Sequence, residues 1–417
     1  MRNYFEDVDY NCKELPYFVW GKPKLYNGKI QILNKQKEEK SMAEVRIRKT
    51  EKAGDNSTET IFEAKGIDYL QEDLIKGLFG NEKEDKSTER VIKLADVPLS
   101  EPGMKCEVVA IYDDVGIPSI MRRFSRVTDK ELFGGSDKTH AAFIIGEEEY
   151  DEIFISVYEN CEINGKPYSL PMQKPWTNIT NDEAAEACFS KGEGWHMMTR
   201  AEWGLLANLS KKNGTLPHGN TNYGKYHADP EEKGVMADNC ITLTGSGPAT
   251  WTHDHTTEGV HGLCGNVWEM VRGLRVKDGR LQMAKNNDAA MKIDLTAEGD
   301  DWQDILDDSG KPVRVSYEDT LVFTTREDIC QDYGGDTWED VRMECESETL
   351  KELALYAGEP KTYCYIDCTD GEYLPICGGR WYYTSGAGVF FVHLDYPRSL
   401  SSSYIGFRSA YYRKRKN

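Results

Sequence analysis

The sequence predicts an α+β protein, with a larger domain of two helices, a small antiparallel sheet and long loops, preceded by a smaller β-rich or mixed domain. Three observations lead there. Thr180 with Glu183 and Thr199 with Glu202 are capping-box signatures, each opening a segment of helix length. Asp278-Gly279 lies between LRV and RLQM, a hairpin signal because a type I′ turn needs positive φ at both central positions. Near the C-terminus, VFFVHLDY alternates with period two, as a strand with two different faces does. At 417 residues the chain exceeds what one hydrophobic core usually serves, so two domains are expected, at about 1–130 and 131–417.

In the first domain GKIQIL, AEVRIRK, ERVIKLADV and KCEVVAIY read as short strands, separated by polar segments such as EKAGDNSTE and NEKEDKSTE. IDYLQEDLIKGLFG has the length of one helix. No catalytic spacing occurs there, and a module for attachment, virion assembly or self-assembly is the expectation. The boundary is expected within 126–151, where FGGSDKTH and the acidic GEEEYDE interrupt the apolar pattern. The helix opened by Thr180 should run through AAEACFSK and end by Gly192. The helix opened by Thr199 should run through AEWGLLANLSKK to Asn213-Gly214, with Trp203, Leu206 and Leu209 on its core face. From Ile241 onward the chain reads as loops and short strands. The stretch at about 294–349 is acidic and poorly periodic, and reads as an inserted, loop-rich excursion.

Charge and cysteine usage narrow the function classes. Lys plus Arg number 51 against 71 for Asp plus Glu, a net charge of −20, which repels phosphate backbones and anionic lipid. Nucleic acid and membrane insertion are therefore not expected, and the short basic run Arg413–Lys416 reads as a solvated end. The start, MRNYFEDVDYNCKEL, lacks an apolar signal-peptide core, and no segment is long and apolar enough to cross a bilayer. Synthesis in a cytoplasm without a signal peptide is the expectation. The eleven cysteines lack paired zinc-ligand spacing; Cys364 and Cys368 lie four apart, and reduced, buried thiols are expected.

The C-terminal segment carries the functional signal. Phe390, Val392 and Leu394 share one parity and are uniformly apolar, whereas Phe391, His393 and Asp395 share the other and are chemically mixed. A strand with that pattern packs one face and turns the other towards something without a fixed chemical preference. Tyr382, Tyr383, Phe391, Tyr396 and Tyr404 enrich the mixed side in rings. With the neighbouring Ser and Gly they make the composition of antibody paratopes. The competing reading is that each ring fills a core. As a same-parity set beside a separate apolar set, a contact surface is the better account.

Over about 150–417 the chain resembles the variable proteins of diversity-generating retroelements of phages, prophages and some microbial genomes. The resemblance rests on NGKPYSLP, GWHMMTRAEW, KKNGTLPHGNTNYGK, LTGSGPATWTHD, GNVWEM, GLRVKDGRLQ, NNDAA and the ending LPICGGRW…AGVF…GFRSAYY. It implies a C-type lectin fold, in the branch shared with formylglycine-generating (sulfatase-modifying) enzymes, and a variable region at about 380–404. It also implies that the diversified, ligand-contacting positions are Tyr382, Tyr383, Gly386, Phe391, His393, Asp395, Tyr396, Leu400, Ser402 and Tyr404, with Thr384 a further candidate. In similar proteins such positions derive from AAY asparagine codons mutated at adenine, which can never yield Met, Trp, Gln, Lys or Glu. None of those five occurs at the ten positions, although they form about a quarter of the chain, so chance avoidance is on the order of one in twenty. Cys377 departs from the usual residue before Gly-Gly, and the acidic insertion is unusually long.

The resemblance implies a non-catalytic receptor-binding protein on a virion or microbial surface, engaging a protein or glycan on a target cell. Alternatives are a purely structural tail or baseplate component and, further off, a formylglycine-generating-type oxidase. That enzyme branch relies on a cysteine pair just upstream of its own GFR motif, but no cysteine lies between Arg380 and Gly406. His253, His255 and His261 in WTHDHTTEGVH read as loop histidines, because no further ligand pattern joins them. The calcium-dependent sugar-binding motifs EPN, QPD and WND are absent from the sequence. No cofactor is expected, and a structural calcium is compatible with the Asp/Asn loops without being predicted. Trp268 and Trp381 read as core or floor residues, and Arg408 as a brace for the final strand.

Overall fold

The computed structural model describes residues 108–113 and 115–414, together with the backbone of six strands placed wholly or partly between residues 24 and 107. The expected helix at 67–80 lies outside the described residues. The chain divides into two compact units, 1–82 and 83–417. In the first unit, β1 (Lys24–Tyr26), β2 (Lys29–Gln31), β3 (Glu44–Glu51) and β4 (Thr58–Lys65) form an antiparallel sheet in sequential order.

The second unit is mixed α/β, mostly strands with few helices, and begins ahead of the expected boundary. β5 (Val91–Pro98), β6 (Lys105–Tyr112) and β7 (Pro118–Ser125) form a meander. β7 then pairs with β10 (Glu152–Ser156), and β10 with the last strand, β26 (Ser409–Tyr411). β13 (Trp195–Met197) closes the other edge of this six-stranded sheet. Residues 126–151 are thus folded structure inside one unit. The acidic GEEEYDE is a hairpin between β8 (Ile144–Ile145) and β9 (Glu148–Glu149), turning at Gly146 and Glu147 with φ of 58° and 67°. Ahead of it, α1 (Asp129–Phe133) places Leu132 in the core.

Both central capping boxes form. Thr180 and Glu183 bond reciprocally at the start of α2 (Asn181–Phe189), and Thr199 and Glu202 at the start of α3 (Arg200–Asn213). α3 ends on Gly214 at φ 67°, and its Trp203, Leu206 and Leu209 are buried. A small hairpin, β11 (Cys161–Ile163) with β12 (Lys166–Tyr168), precedes α2. Asp278 and Gly279, at φ 50° and 73°, turn β15 (Leu274–Lys277) into β16 (Arg280–Met283).

The acidic stretch at 294–349 is a correction to the expectation of an excursion. It supplies β17 (Gln303–Asp304), β18 (Arg314–Tyr317), β19 (Leu321–Thr324), β20 (Tyr333–Thr337) and β21 (Arg342–Met343), and leads into α4 (Glu348–Glu352). Its Ile305, Val313, Val315, Leu321, Phe323 and Trp338 lie in the main core. With β22 (Tyr363–Asp367), β23 (Glu372–Gly378), β24 (Gly388–Tyr396), β14 (Trp268–Met270) and β25 (Ile405–Phe407) these strands complete a curled twelve-stranded sheet. Within it the order β20-β22-β24-β23 puts an insertion strand at the edge nearest β24.

Candidate functional site

β24 separates two environments by parity. Phe390, Val392 and Leu394 enter the main core, whereas Phe391 belongs to a second cluster with Trp268, Ile376, Ile405 and Phe407. Tyr363, Tyr365, Tyr383, Tyr396, Leu400 and Tyr404 pack over this second cluster, half-buried. The main-chain course of the strand is fixed from the core side. Indole N–H groups of Trp203 and Trp338 donate to the carbonyls of Val389 and Phe390, at 2.8 and 2.9 Å.

The flanking loops are also held by main-chain bonds that do not depend on side-chain identity. Tyr223 N donates to Trp381 O at 2.8 Å, Thr384 N to Thr221 O at 3.1 Å, Asn178 N to Ser402 O at 3.0 Å and Trp268 N to Tyr404 O at 2.9 Å. Arg398 pins the last loop by binding both carboxylate oxygens of Glu372, at 2.7 and 2.9 Å, and Asp182 at 2.7 Å.

The expected positions gather on this side of the sheet, at different depths. Tyr382 is the most exposed ring, at 38 %, and stacks on half-buried Tyr383 with centroids 5.0 Å apart. Tyr383 meets Trp268 and Phe391 edge-on, both at 5.3 Å. Tyr404 lies beneath the Arg380 guanidinium, 3.9 Å from its ring centre. Leu400 and Ser402 are half-buried on the connecting loop, and Asp395 and Tyr396 are half-buried at the end of β24. Thr384 is exposed and holds φ 50°.

Three of the ten positions do not face solvent, which corrects the picture of uniformly outward side chains. Phe391 is 0 % and His393 5 % exposed, and Gly386 is buried beside the Tyr363 ring. The physical reason is the cover: Tyr365 stacks on His393 at 4.5 Å, and Tyr363 and Tyr383 close over Phe391. These residues form the floor of the surface rather than its contact points. Asp395 Oδ1 receives a hydrogen bond from His393 Nδ1 at 2.9 Å, while His393 Nε2 has no partner. Burial lifts the Tyr383 and Tyr396 phenols above their ordinary range, so both rings present neutral O–H groups.

No protein-family model matches the chain, and no curated protein matches it significantly.

Four residues of the site lie outside the expected set. Tyr363 and Tyr365 come from β22, which pairs parallel with β24 through Tyr365 and His393. Gly335 on β20 makes room for Tyr365, since a Cβ there would stand 2.2 Å from its ring. Tyr333, at the start of β20, is 50 % exposed, and the partial burial of its ring, with Asp395 beside it, holds its phenol above the ordinary range. Arg380 is the fourth. The signal for Tyr363 and Tyr365 was present in TYCYID, where the rings alternate with buried Cys364 and Ile366.

The thiols and histidines sit elsewhere. Cys364 and Cys377 flank Val392 from neighbouring strands, on the core side, and both are free and fully buried. Arg200 Nη1 donates to Cys377 Sγ at 3.0 Å, yet burial pushes that thiol up to about 11. His253 accepts a bond from Val260 N at 2.9 Å, His261 packs on Tyr158, and His255 Nε2 bonds the carbonyl of Leu216 at 3.0 Å. Among the described residues no group of three or more His, Cys, Asp or Glu side chains gathers as metal ligands. Trp268 is buried at the centre of the aromatic cluster. Arg408 ties β26 to Glu269 at 2.6 Å and to the carbonyls of Ser156 and His261 at 3.0 and 2.7 Å.

Proposed function

We propose that this chain is a non-catalytic ligand-binding protein: a C-type-lectin-like domain whose 380–404 segment presents a contact surface diversified by a retroelement. The observation that carries the reading is the partition at β24. One set of side chains builds the main core, while the other lies on a separate aromatic platform whose backbone is fastened by main-chain and indole bonds. Such a frame lets Tyr382, Tyr383, Tyr396, Leu400, Ser402 and Tyr404 change without re-routing the chain. A few aromatic anchors amid Ser, Gly and Asp suit recognition of a molecule on a host or neighbouring cell. The buried, protonated character of Cys377 and its place on the core face favour binding over thiolate chemistry.

The DNA around the gene tests the diversification directly. The expected finding is a reverse transcriptase gene nearby and a near-copy of the segment encoding 380–404, with asparagine AAY codons at the ten positions. A gene with no such repeat contradicts diversification by a retroelement.

A further inference from the structure

Arg380 stands at the fixed entrance to the variable segment, between Gly379 and Trp381. It is 7 % exposed, and its guanidinium lies 3.9 Å from the centre of the Tyr404 ring and 4.4 Å from that of Tyr382. Tyr383 and Trp381 are each 5.7 Å away. Among the described residues it has no acidic partner: the one hydrogen bond of its side chain goes to the Tyr382 hydroxyl, and Nε is buried with no acceptor. The other buried arginines here are satisfied differently. Arg122 holds Asp254, Arg275 holds Glu372 and Arg408 holds Glu269, while Arg200 donates to the carbonyls of Leu353 and Ala354 and to Cys377 Sγ. A desolvated guanidinium is expensive unless a counter-charge completes it, and cation–π contacts replace only part of the lost hydration.

A second orphan lies on the same platform. His393 is 5 % exposed, and its Nδ1 is bonded to Asp395, which leaves Nε2 buried without a partner. Beside them stand Tyr383, its ring centre 5.7 Å from the Arg380 guanidinium, and Tyr396, 5.6 Å from the His393 ring, whose neutral phenols can donate to an oxygen anion.

We propose that Arg380 is the recognition point for a carboxylate of the ligand, carried by an Asp or Glu side chain of a protein partner. This rests on the ligand-binding reading above. The planar fork of arginine matches a carboxylate in two parallel bonds, and the surrounding rings shield that pair from water. The extent of the platform favours a protein. It crosses β20, β22, β24, β23, β14 and β25, about 24 Å at ordinary strand spacing, which is the width of a protein contact patch rather than of one sugar.

The test exposes the full chain to a library of random peptides, with an array of sialylated and uronic-acid glycans in parallel. The expected result is enrichment of peptides carrying Asp or Glu beside an apolar residue, with retention that weakens as salt rises. Arg380→Gln should weaken retention at least about tenfold, the loss of a charge-assisted bond. Arg380→Lys, which keeps the charge without the fork, and Tyr404→Ala, which opens the cage, should each weaken it less. All three are checked for an intact melting transition, and the milder two decide the matter if Arg380→Gln unfolds. Enrichment of neutral or basic peptides, indifferent to salt and to Arg380, overturns the carboxylate and leaves the ligand-binding reading standing. Retention of acidic glycans in place of peptides overturns the protein partner. No retention of any peptide or glycan overturns both.

Discussion

Phe391 and Tyr382 come from the same mixed set in the sequence, yet they differ in depth, and that difference has energetic consequences. Phe391 is fully buried among Trp268, Tyr363 and Tyr383, so Phe391→Ala should cost about 3–5 kcal/mol in urea unfolding. Tyr382 is 38 % exposed, and Tyr382→Ala should cost less than about 1 kcal/mol. Equal losses at the two positions would contradict the platform geometry. Thr384 offers a finer test. It is β-branched and holds φ 50°, a conformation that asparagine adopts far more readily. Thr384→Asn should therefore stabilise the fold by about 1 kcal/mol, read as a rise in the urea midpoint; a lowered midpoint would count against that backbone conformation. The parity of β24 was legible because period two is a local property of the chain. The burial of Phe391 and His393 was not, because their cover arrives from β22 and from Trp268 on β14, both remote in sequence.

Elements with local signals were read well. The capping boxes at Thr180 and Thr199 and the turn at Asp278-Gly279 each complete their own hydrogen bonds or dihedrals within a few residues. The stretch at 294–349 resisted reading because its strands are only two to five residues long, and acidic side chains fill the intervals between them. Its apolar residues alternate too briefly to register as strands. The consequence of the misreading is functional, since β20 edges the platform and Trp338 holds β24 from beneath. Trp338→Phe keeps most of the apolar volume but removes the donor to the Phe390 carbonyl. It should destabilise the chain by about 1–3 kcal/mol, and an unchanged urea midpoint would show that β24 does not need that brace.

Across the second unit, the buried histidines shape the response to acid. Burial holds His140 down to about 3, and His253 and His261 down to about 4. Each stays neutral in the folded chain while its unfolded counterpart binds a proton below about 6.5. Their contribution is therefore fully present above that value and is lost as pH falls towards 4. Asp129 and Glu269, raised by burial to about 8 and about 7, act in the opposite direction and offset most of two of the three. Unfolding near pH 5 should accordingly take up protons, and the urea midpoint should fall between pH 6.5 and 4.5; a midpoint that rises over that interval would contradict the buried, neutral histidines. The start of this unit was illegible from the sequence. The pairing that draws β5–β7 into it runs through β10 to β26, across most of the chain.

The most direct measurement is the unfolding transition of a library of full chains randomised together at Tyr382, Tyr383, Tyr396, Leu400, Ser402 and Tyr404. If the frame holds itself up through the main core and the main-chain bonds, most members should melt within about 5 °C of the parent. If most members are unfolded or melt far lower, those side chains are part of what folds the domain, and a replaceable contact surface is not what this segment provides.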